Sequence, residues 1–298
     1  MYNETDLVRI AKRENNNKRN YLVVNRLQGK HIPVKPVIAL GMFRELAATI
    51  KGSYKGETLL LVGFAETATA IGAAVAIELG TKYIQTTREV IPGVEYIFFS
   101  EEHSHATEQK LVKDDLDACM EGIDRIVFVE DEVTTGKTIL NIIEMLEKQY
   151  PDGAKFSVAS LLNGMDDVAL QLYADKEIPL HYLVKTRHDA YSVVAEQFAG
   201  DGVYVECNTS VPQMEDATDK AMEFCEKQEL AEGHGILGPQ VLDGVTEYHI
   251  KGAVNARRLV DANLYQEACV RLWGQIETVL DKELEGRVLV LGSEEFMY

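Results

Sequence analysis

Residues 125–143, RIVFVEDEVTTGKTILNII, crowd several kinds of chemistry into one short stretch. An apolar run delivers two adjacent acids, Glu130 and Asp131; Val133, Thr134, Thr135, Gly136, Lys137 and Thr138 follow, and then a second apolar run. The first run reads as a buried strand over 125–130, and the second as a helix over 137–149 with a face of Ile139, Ile142, Ile143 and Leu146. In open α/β sheets ligands bind at the carboxyl ends of strands, so both acids stand where a ligand would lie. The turn after them leads into a helix N-terminus, where unpaired N–H groups and the helix dipole favour an anion. The threonines add hydroxyl donors, and Gly136 lets a ligand approach the backbone. Carboxylates suit neither a phosphate nor a base, but they accept hydrogen bonds from vicinal hydroxyls and bind hard cations such as Mg²⁺. A sugar phosphate with free hydroxyls satisfies both halves of the stretch. A nucleotide-binding P-loop would need glycine at position 131, where Asp131 stands, and is rejected. An ordinary strand–helix junction with capping threonines explains the turn but not the acid pair.

The stretch VFVEDEVTTGKT resembles the phosphoribosyl-pyrophosphate-binding motif of type I phosphoribosyltransferases: an apolar run, an acid followed by Asp, two mostly apolar positions, two small or hydroxyl residues, Gly, any residue, Thr. Glu132 departs from it, standing where an apolar residue is usual. The resemblance implies that Glu130 and Asp131 hold the ribose 2- and 3-hydroxyls, that residues 134–138 hold the 5-phosphate, and that Mg²⁺ accompanies the donor with the acid pair as candidate ligands. Position 134 is Asp in the 6-oxopurine branch of the family. Here it is Thr, as in orotate-type members, which disfavours hypoxanthine or guanine as acceptor. GKHIPV (29–34), GFAETATAIG (63–72), EEHSHATEQ (101–109) and the terminal VLGSEEFMY resemble a narrower group, found with a TRSP domain in bacterial stress and tellurite-resistance gene clusters, although the Thr-Arg-Ser-Pro motif itself is absent.

Further constellations join this reading. LLLVGFAETATAIG is a strand, a small-residue loop and a helix; Ala65, Glu66, Thr67 and Ala68 are candidates for the pyrophosphate, with Glu66 a cap or a Mg²⁺ contact. Arg88 ends a strand and can face pyrophosphate charge. His103 and His105 lie in a long polar connection of the kind that closes over active sites; their H-x-H spacing also allows metal, although no third ligand is evident. Lys30 and His31 fall where the family builds a variable hood over the base.

The elements that must position these residues alternate as short apolar strands and helices, an α/β chain with a parallel sheet covered on both faces. Strands are expected at 21–27, 58–62, 82–87, 94–100, 125–130, 155–162 and 180–185, and helices at 4–14, 37–50, 66–79 and 137–149. The expected organisation is a Rossmann-like phosphoribosyltransferase domain over 1–210, with its hood from about 15–36 and parts of 186–206. A helical segment and the start of an incomplete TRSP-like domain follow over 211–298, with helices near 213–231 and 262–284 around a Gly-rich stretch (233–252). The terminal RVLVLG reads as a buried strand, and this segment is expected to dock on the first domain or on a second subunit, as in a homodimer, without contacting donor phosphate.

Composition limits the partners. The chain of 298 residues is long enough for a sizeable core, and its net charge of −18 opposes non-specific binding to nucleic acid or an anionic membrane. No apolar run spans a bilayer, the N-terminus lacks a signal-peptide core, and the four cysteines show no C-x-x-C spacing, so a cytoplasmic location is expected. The expected activity is transfer of a phosphoribosyl group from phosphoribosyl pyrophosphate to a nitrogen of a base-like acceptor. The alternatives are a module that senses the donor without transferring it and, more weakly, a nucleoside-processing enzyme running the transfer in reverse.

Overall fold

The computed structural model describes residues 2–13, 19–99, 109–151, 153–199, 235–242, 245–280, 288–290, 292 and 295. Its centre is a six-stranded sheet. In chain order the first elements are α1 (Glu4–Leu7), β1 (Val8–Lys12), β2 (Tyr21–Asn25), α2 (Pro36–Ile50), β3 (Leu59–Gly63), α3 (Thr69–Leu79) and β4 (Lys82–Gln85). There follow β5 (Tyr96–Phe99), β6 (Gln109–Val112), α4 (Lys113–Cys119), β7 (Arg125–Val133), α5 (Lys137–Gln149), β8 (Lys155–Asn163), α6 (Asp167–Asp175), β9 (Leu180–Lys185) and α7 (Tyr191–Glu196). The last are β10 (Gly235–Leu242), β11 (Val245–Lys251), β12 (Val260–Asp261) and α8 (Ala262–Val279).

The sheet order is β12-β4-β3-β7-β8-β9, parallel throughout except for antiparallel β12. Leu60, Leu61, Val62, Ile126, Val127, Phe128 and Val129 have no solvent exposure, as a sheet covered on both faces requires. The register pairs Gly63 with Val129 and Glu130 with Ser160, so the carboxyl ends of β3, β7 and β8 reach one edge. Among the helices, α5 buries the apolar face read from its spacing, Ile139, Ile142, Ile143 and Leu146.

Several elements differ from the sequence reading. The helix expected over 4–14 lasts one turn, started by a capping box between Asn3 and Asp6. The chain then extends as β1, which pairs antiparallel with β2, because cross-strand pairing overrides a weak helical pattern. Strand 94–100 lies outside the parallel sheet; β5 and β6 form their own antiparallel ribbon. The Gly-rich stretch holds the β10–β11 hairpin. Residues 288–290, expected in a buried strand, carry no regular structure, and Val290 is 85% exposed. The helix expected near 213–231 and residues His103 and His105 lie outside the described residues. The C-terminal part does add a strand to the sheet: β12 pairs with β4, and Gln85 N–H donates to the Ala256 carbonyl at 3.0 Å.

Candidate active site

Strand β7 runs three residues beyond the expected end and carries Glu130, Asp131 and Glu132 on its last turn of pleat, half-buried. β8 makes this possible by pairing as far as Val133 with Asn163. Asp131 is held by local bonds and by the lobe above it. Its Oδ1 accepts from Glu132 N–H at 2.9 Å; its Oδ2 lies 3.5 Å from Gln28 Nε2 and 3.7 Å from Lys30 Nζ. The acid pair and the hood segment, a hundred residues apart in sequence, thus meet across one cleft. A cavity of about 130 Å³ there is lined by Asn25, Gln28, Lys30, His31, Asp131 and Glu132. Lost hydration and the neighbouring Lys30 ammonium push His31 below the ordinary imidazole value, against the pull of Asp131.

Glu132, the departure from the motif, is 3.6 Å from Arg19 and 3.3 Å from His188. His188 in turn meets the Tyr21 hydroxyl at 3.1 Å and the Thr186 hydroxyl at 3.1 Å. Glu132 therefore ties β7 to the small lobe formed by β1, β2 and the segment leading into α7. Arg19 and His188 were not singled out from the sequence, because each acts through contacts that no local pattern announces.

After Val133 the chain turns through Thr134 and Thr135 to Gly136, which has a positive φ of 70° and caps α5. Thr135 and Lys137 are exposed and Thr138 half-exposed, so this helix start opens outward. The glycine is required for a reason the sequence did not reveal. A Cβ there would lie 2.5 Å from Tyr173 Oη and 2.7 Å from Met165 Cε. Tyr173 is fully buried and its hydroxyl donates to the Gly136 carbonyl at 2.7 Å. Packing beneath the loop demands glycine whether or not a ligand approaches from above.

The second loop, after β3, is braced from inside. Ala65 N–H donates to Thr86 Oγ1 at 2.8 Å, and Gln109 Nε2 donates to the Ala65 carbonyl at 2.8 Å. Thr86 Oγ1 in turn donates to Gln109 Oε1, which closes the circuit. Ala68 N–H donates to the Phe64 carbonyl at 2.9 Å. Ala65 and Ala68, expected among the pyrophosphate-binding residues, thus spend their N–H groups within the protein, and both are buried. Among the described residues the N–H groups of Glu66 and Thr67 have no such partner, and both positions are half-exposed. Arg88 Nη1 pairs with Glu66 Oε1 at 2.8 Å, so the expected anion ligand and the unexpected acid sit together. A cavity of about 150 Å³ bordered by Glu66, Thr67 and Thr69 shares Gln28 and Lys30 with the first, so Asp131 and the loop after β3 border one cleft.

A family model described as a phosphoribosyl transferase matches residues 7–190. The chain belongs to this phosphoribosyltransferase family. It is a type I enzyme of mixed α/β fold that transfers a phosphoribosyl group from phosphoribosyl pyrophosphate to a base and releases pyrophosphate. Membership favours transfer over donor sensing alone. No protein of curated function matches the chain. Solved structures similar to it include the adenine phosphoribosyltransferase of Rhodothermus marinus, at 16% identity and a TM-score of 0.45, covering 61% of this chain and 96% of that one. The Leishmania donovani adenine phosphoribosyltransferase has 14% identity and a TM-score of 0.49, covering 74% and 90%. The Trypanosoma brucei enzyme, solved with AMP, pyrophosphate and ribose-5-phosphate, has 15% identity and a TM-score of 0.44, covering 72% and 88%. Among the described residues no helix is long and apolar enough to cross a membrane.

Proposed function

We propose that Glu130 and Asp131 accept hydrogen bonds from the ribose hydroxyls of the donor, while the turn from Thr134 to Thr138 holds its 5-phosphate. The observation that carries this reading is the meeting of Asp131 with Gln28 and Lys30 across one cleft, on the strand whose next turn leads into the N-terminus of α5. An anion at that helix start gains from the dipole and from N–H and hydroxyl donors. Half-exposed carboxylates at a strand end are open to sugar hydroxyls. On the other side of the cleft the N–H groups of Glu66 and Thr67, with Arg88, face the leaving pyrophosphate. Ala65 and Ala68 only shape the loop.

The chemistry asked of these residues is positioning and charge stabilisation rather than proton transfer. As the bond to pyrophosphate lengthens, the ribosyl C1 gains positive character, and the negative charge of the two carboxylates stabilises it. A nitrogen of the acceptor attacks C1, and the lobe carrying Lys30 and His31 keeps water from competing.

Mg²⁺ fits the donor set. Glu130 and Asp131 are hard oxygen ligands, and among the described residues no third acid, His or Cys joins them as a group, so a cation there would share its coordination with donor oxygens. When bound, it neutralises charge on the departing pyrophosphate.

The acceptor is inferred to be other than a 6-oxopurine, since Thr134 offers a neutral hydroxyl and the lobe offers Lys30, His31 and Glu132. The resemblance to the group found with TRSP domains supports a role in stress response, and membership of the phosphoribosyltransferase family is consistent with a cytoplasmic setting. The test is pyrophosphate release from donor and Mg²⁺ with adenine, hypoxanthine, guanine and orotate as acceptors. Release confined to a non-6-oxopurine acceptor is expected. Release with hypoxanthine or guanine at equal or greater rate contradicts the acceptor assignment.

A further inference from the structure

Glu295 is a carboxylate only 3% exposed, and it is held by a set of donors that reads an anion. Both its oxygens accept from Thr87 Oγ1, at 2.9 and 2.8 Å; Oε1 also accepts from Arg88 N–H at 2.6 Å, and Oε2 from Arg257 Nε at 2.7 Å. Its own carbonyl accepts from Thr69 Oγ1 at 2.8 Å. Thr87 and Arg88 follow the carboxyl end of β4, and Thr69 opens α3 directly after the loop 64–68. This is the sheet edge where ligands of α/β folds bind, next to the residues assigned above to pyrophosphate. Arg257 arrives there because the chain before β12 lies along β4, with the Ala256 carbonyl on Gln85 N–H.

Both Arg257 and Glu295 lie outside residues 7–190, the part matched by the family. They reach this edge from the C-terminal part of the chain. A buried ion pair as a mere clasp is a weak source of stability, since desolvation offsets most of its attraction. A hydroxyl, a backbone N–H and a guanidinium converging on two oxygens is, by contrast, the donor set that phosphate oxygens take.

We propose that Thr87, Arg88 N–H and Arg257 form an anion pocket of the donor site, and that Glu295 is its internal occupant, competing with the pyrophosphate group. Arg257 is then a further binding residue, and the C-terminal segment both completes the pocket and restrains it. The proposal rests on the pyrophosphate side of the cleft assigned above. It replaces the expectation that the C-terminal segment stands apart from the donor phosphates.

The experiment is calorimetric titration of the full chain with inorganic pyrophosphate in Mg²⁺ buffer, with circular dichroism to show that each variant is folded. Glu295→Gln removes the competing charge and is expected to tighten binding at least tenfold. Adding Arg257→Gln to it should abolish that gain. Glu295→Asp, which keeps the charge but shortens its reach, is titrated alongside and should tighten binding at least threefold, so a failure of the Gln variant to fold does not end the test. Unchanged or weaker binding in the folded Glu295 variants makes Glu295 a clasp and overturns the proposal, as does a double variant that keeps the gain. The titration reads binding alone, and acceptor-dependent pyrophosphate release is read separately, so the two assignments fail separately. Transfer without a gain in Glu295→Gln overturns only the pocket; a gain with no acceptor-dependent transfer overturns only the assignment of the transfer site.

Discussion

Replacing Gly136 by Ala tests whether the loop under the sugar phosphate is set by packing. Two costs add. An L-residue at φ of 70° loses about 1–2 kcal/mol in the left-handed region. The new Cβ, 2.5 Å from Tyr173 Oη and 2.7 Å from Met165 Cε, must also displace side chains with no free space, an overpacking cost of about 1–3 kcal/mol. The sum is ~2–5 kcal/mol. Tyr173→Phe alone removes a hydroxyl whose bond to the Gly136 carbonyl contributes about 0.5–1.5 kcal/mol. In the double variant the shortest contact is gone, so Gly136→Ala should cost less there by at least about 1 kcal/mol, the size of coupling expected between touching residues. Urea unfolding of the four proteins gives the cycle. Additivity within about 0.5 kcal/mol, or a Gly136→Ala protein as stable as the wild type, would refute the reasoning and return the glycine to a purely ligand-facing role.

Other expectations follow from the same geometry. Thr86→Val strips the Ala65 N–H and Gln109 Oε1 of their shared partner; it should cost about 2–4 kcal/mol in urea unfolding and raise the KM for the donor, while Thr86→Ser retains both. Burial holds His181 below the ordinary imidazole value, aided by the Arg125 charge and opposed by the Thr49 carbonyl. Its unfolded form therefore binds a proton first, so stability is full above about pH 6.5 and falls as pH drops below it. Denaturant midpoints at pH 7.5 and 5.5 should differ less in His181→Gln than in the wild type, and equal pH dependence in both would contradict this. Glu132→Ala should loosen the lobe by separating β7 from Arg19 and His188, read as faster hydrogen exchange in β1 and β2 with β8 unchanged.

How far the sequence carried this account differs from element to element. α5 over 137–149 stands where periodicity puts it, because it buries a long apolar face, and β9 over 180–185 stands where expected because it pairs with β8 along its length. The end of β7 was misplaced by three residues, since polar side chains stop a hydrophobic pattern without stopping a backbone that still has a partner strand. β1 was unreadable because Val8 to Lys12 extends only through pairing with β2. In the site, Glu130, Asp131 and the turn after them were legible as one contiguous motif. The bracing pair Thr86 and Gln109 was not, being two isolated polar residues whose meaning lies in their contact with Ala65. Nor was Glu295, whose partners Thr87 and Arg88 lie more than two hundred positions away.

The central claim is that the acid pair of β7 serves bound ribose rather than the fold. Asp131 is half-exposed and its ion pair with Lys30 is long, so Glu130→Gln with Asp131→Asn should leave urea stability within about 1 kcal/mol of the wild type. Each lost charge-assisted hydrogen bond should weaken transition-state binding by about 1.5–3 kcal/mol, together a fall in kcat/KM of roughly a hundredfold or more. The decisive measurement is the rate of pyrophosphate release by this double variant beside the wild type, with donor, Mg²⁺ and whichever acceptor supports turnover. A folded variant at one hundredth of the wild-type kcat/KM or below is the predicted result, and a folded variant that releases pyrophosphate at the wild-type rate would contradict the account.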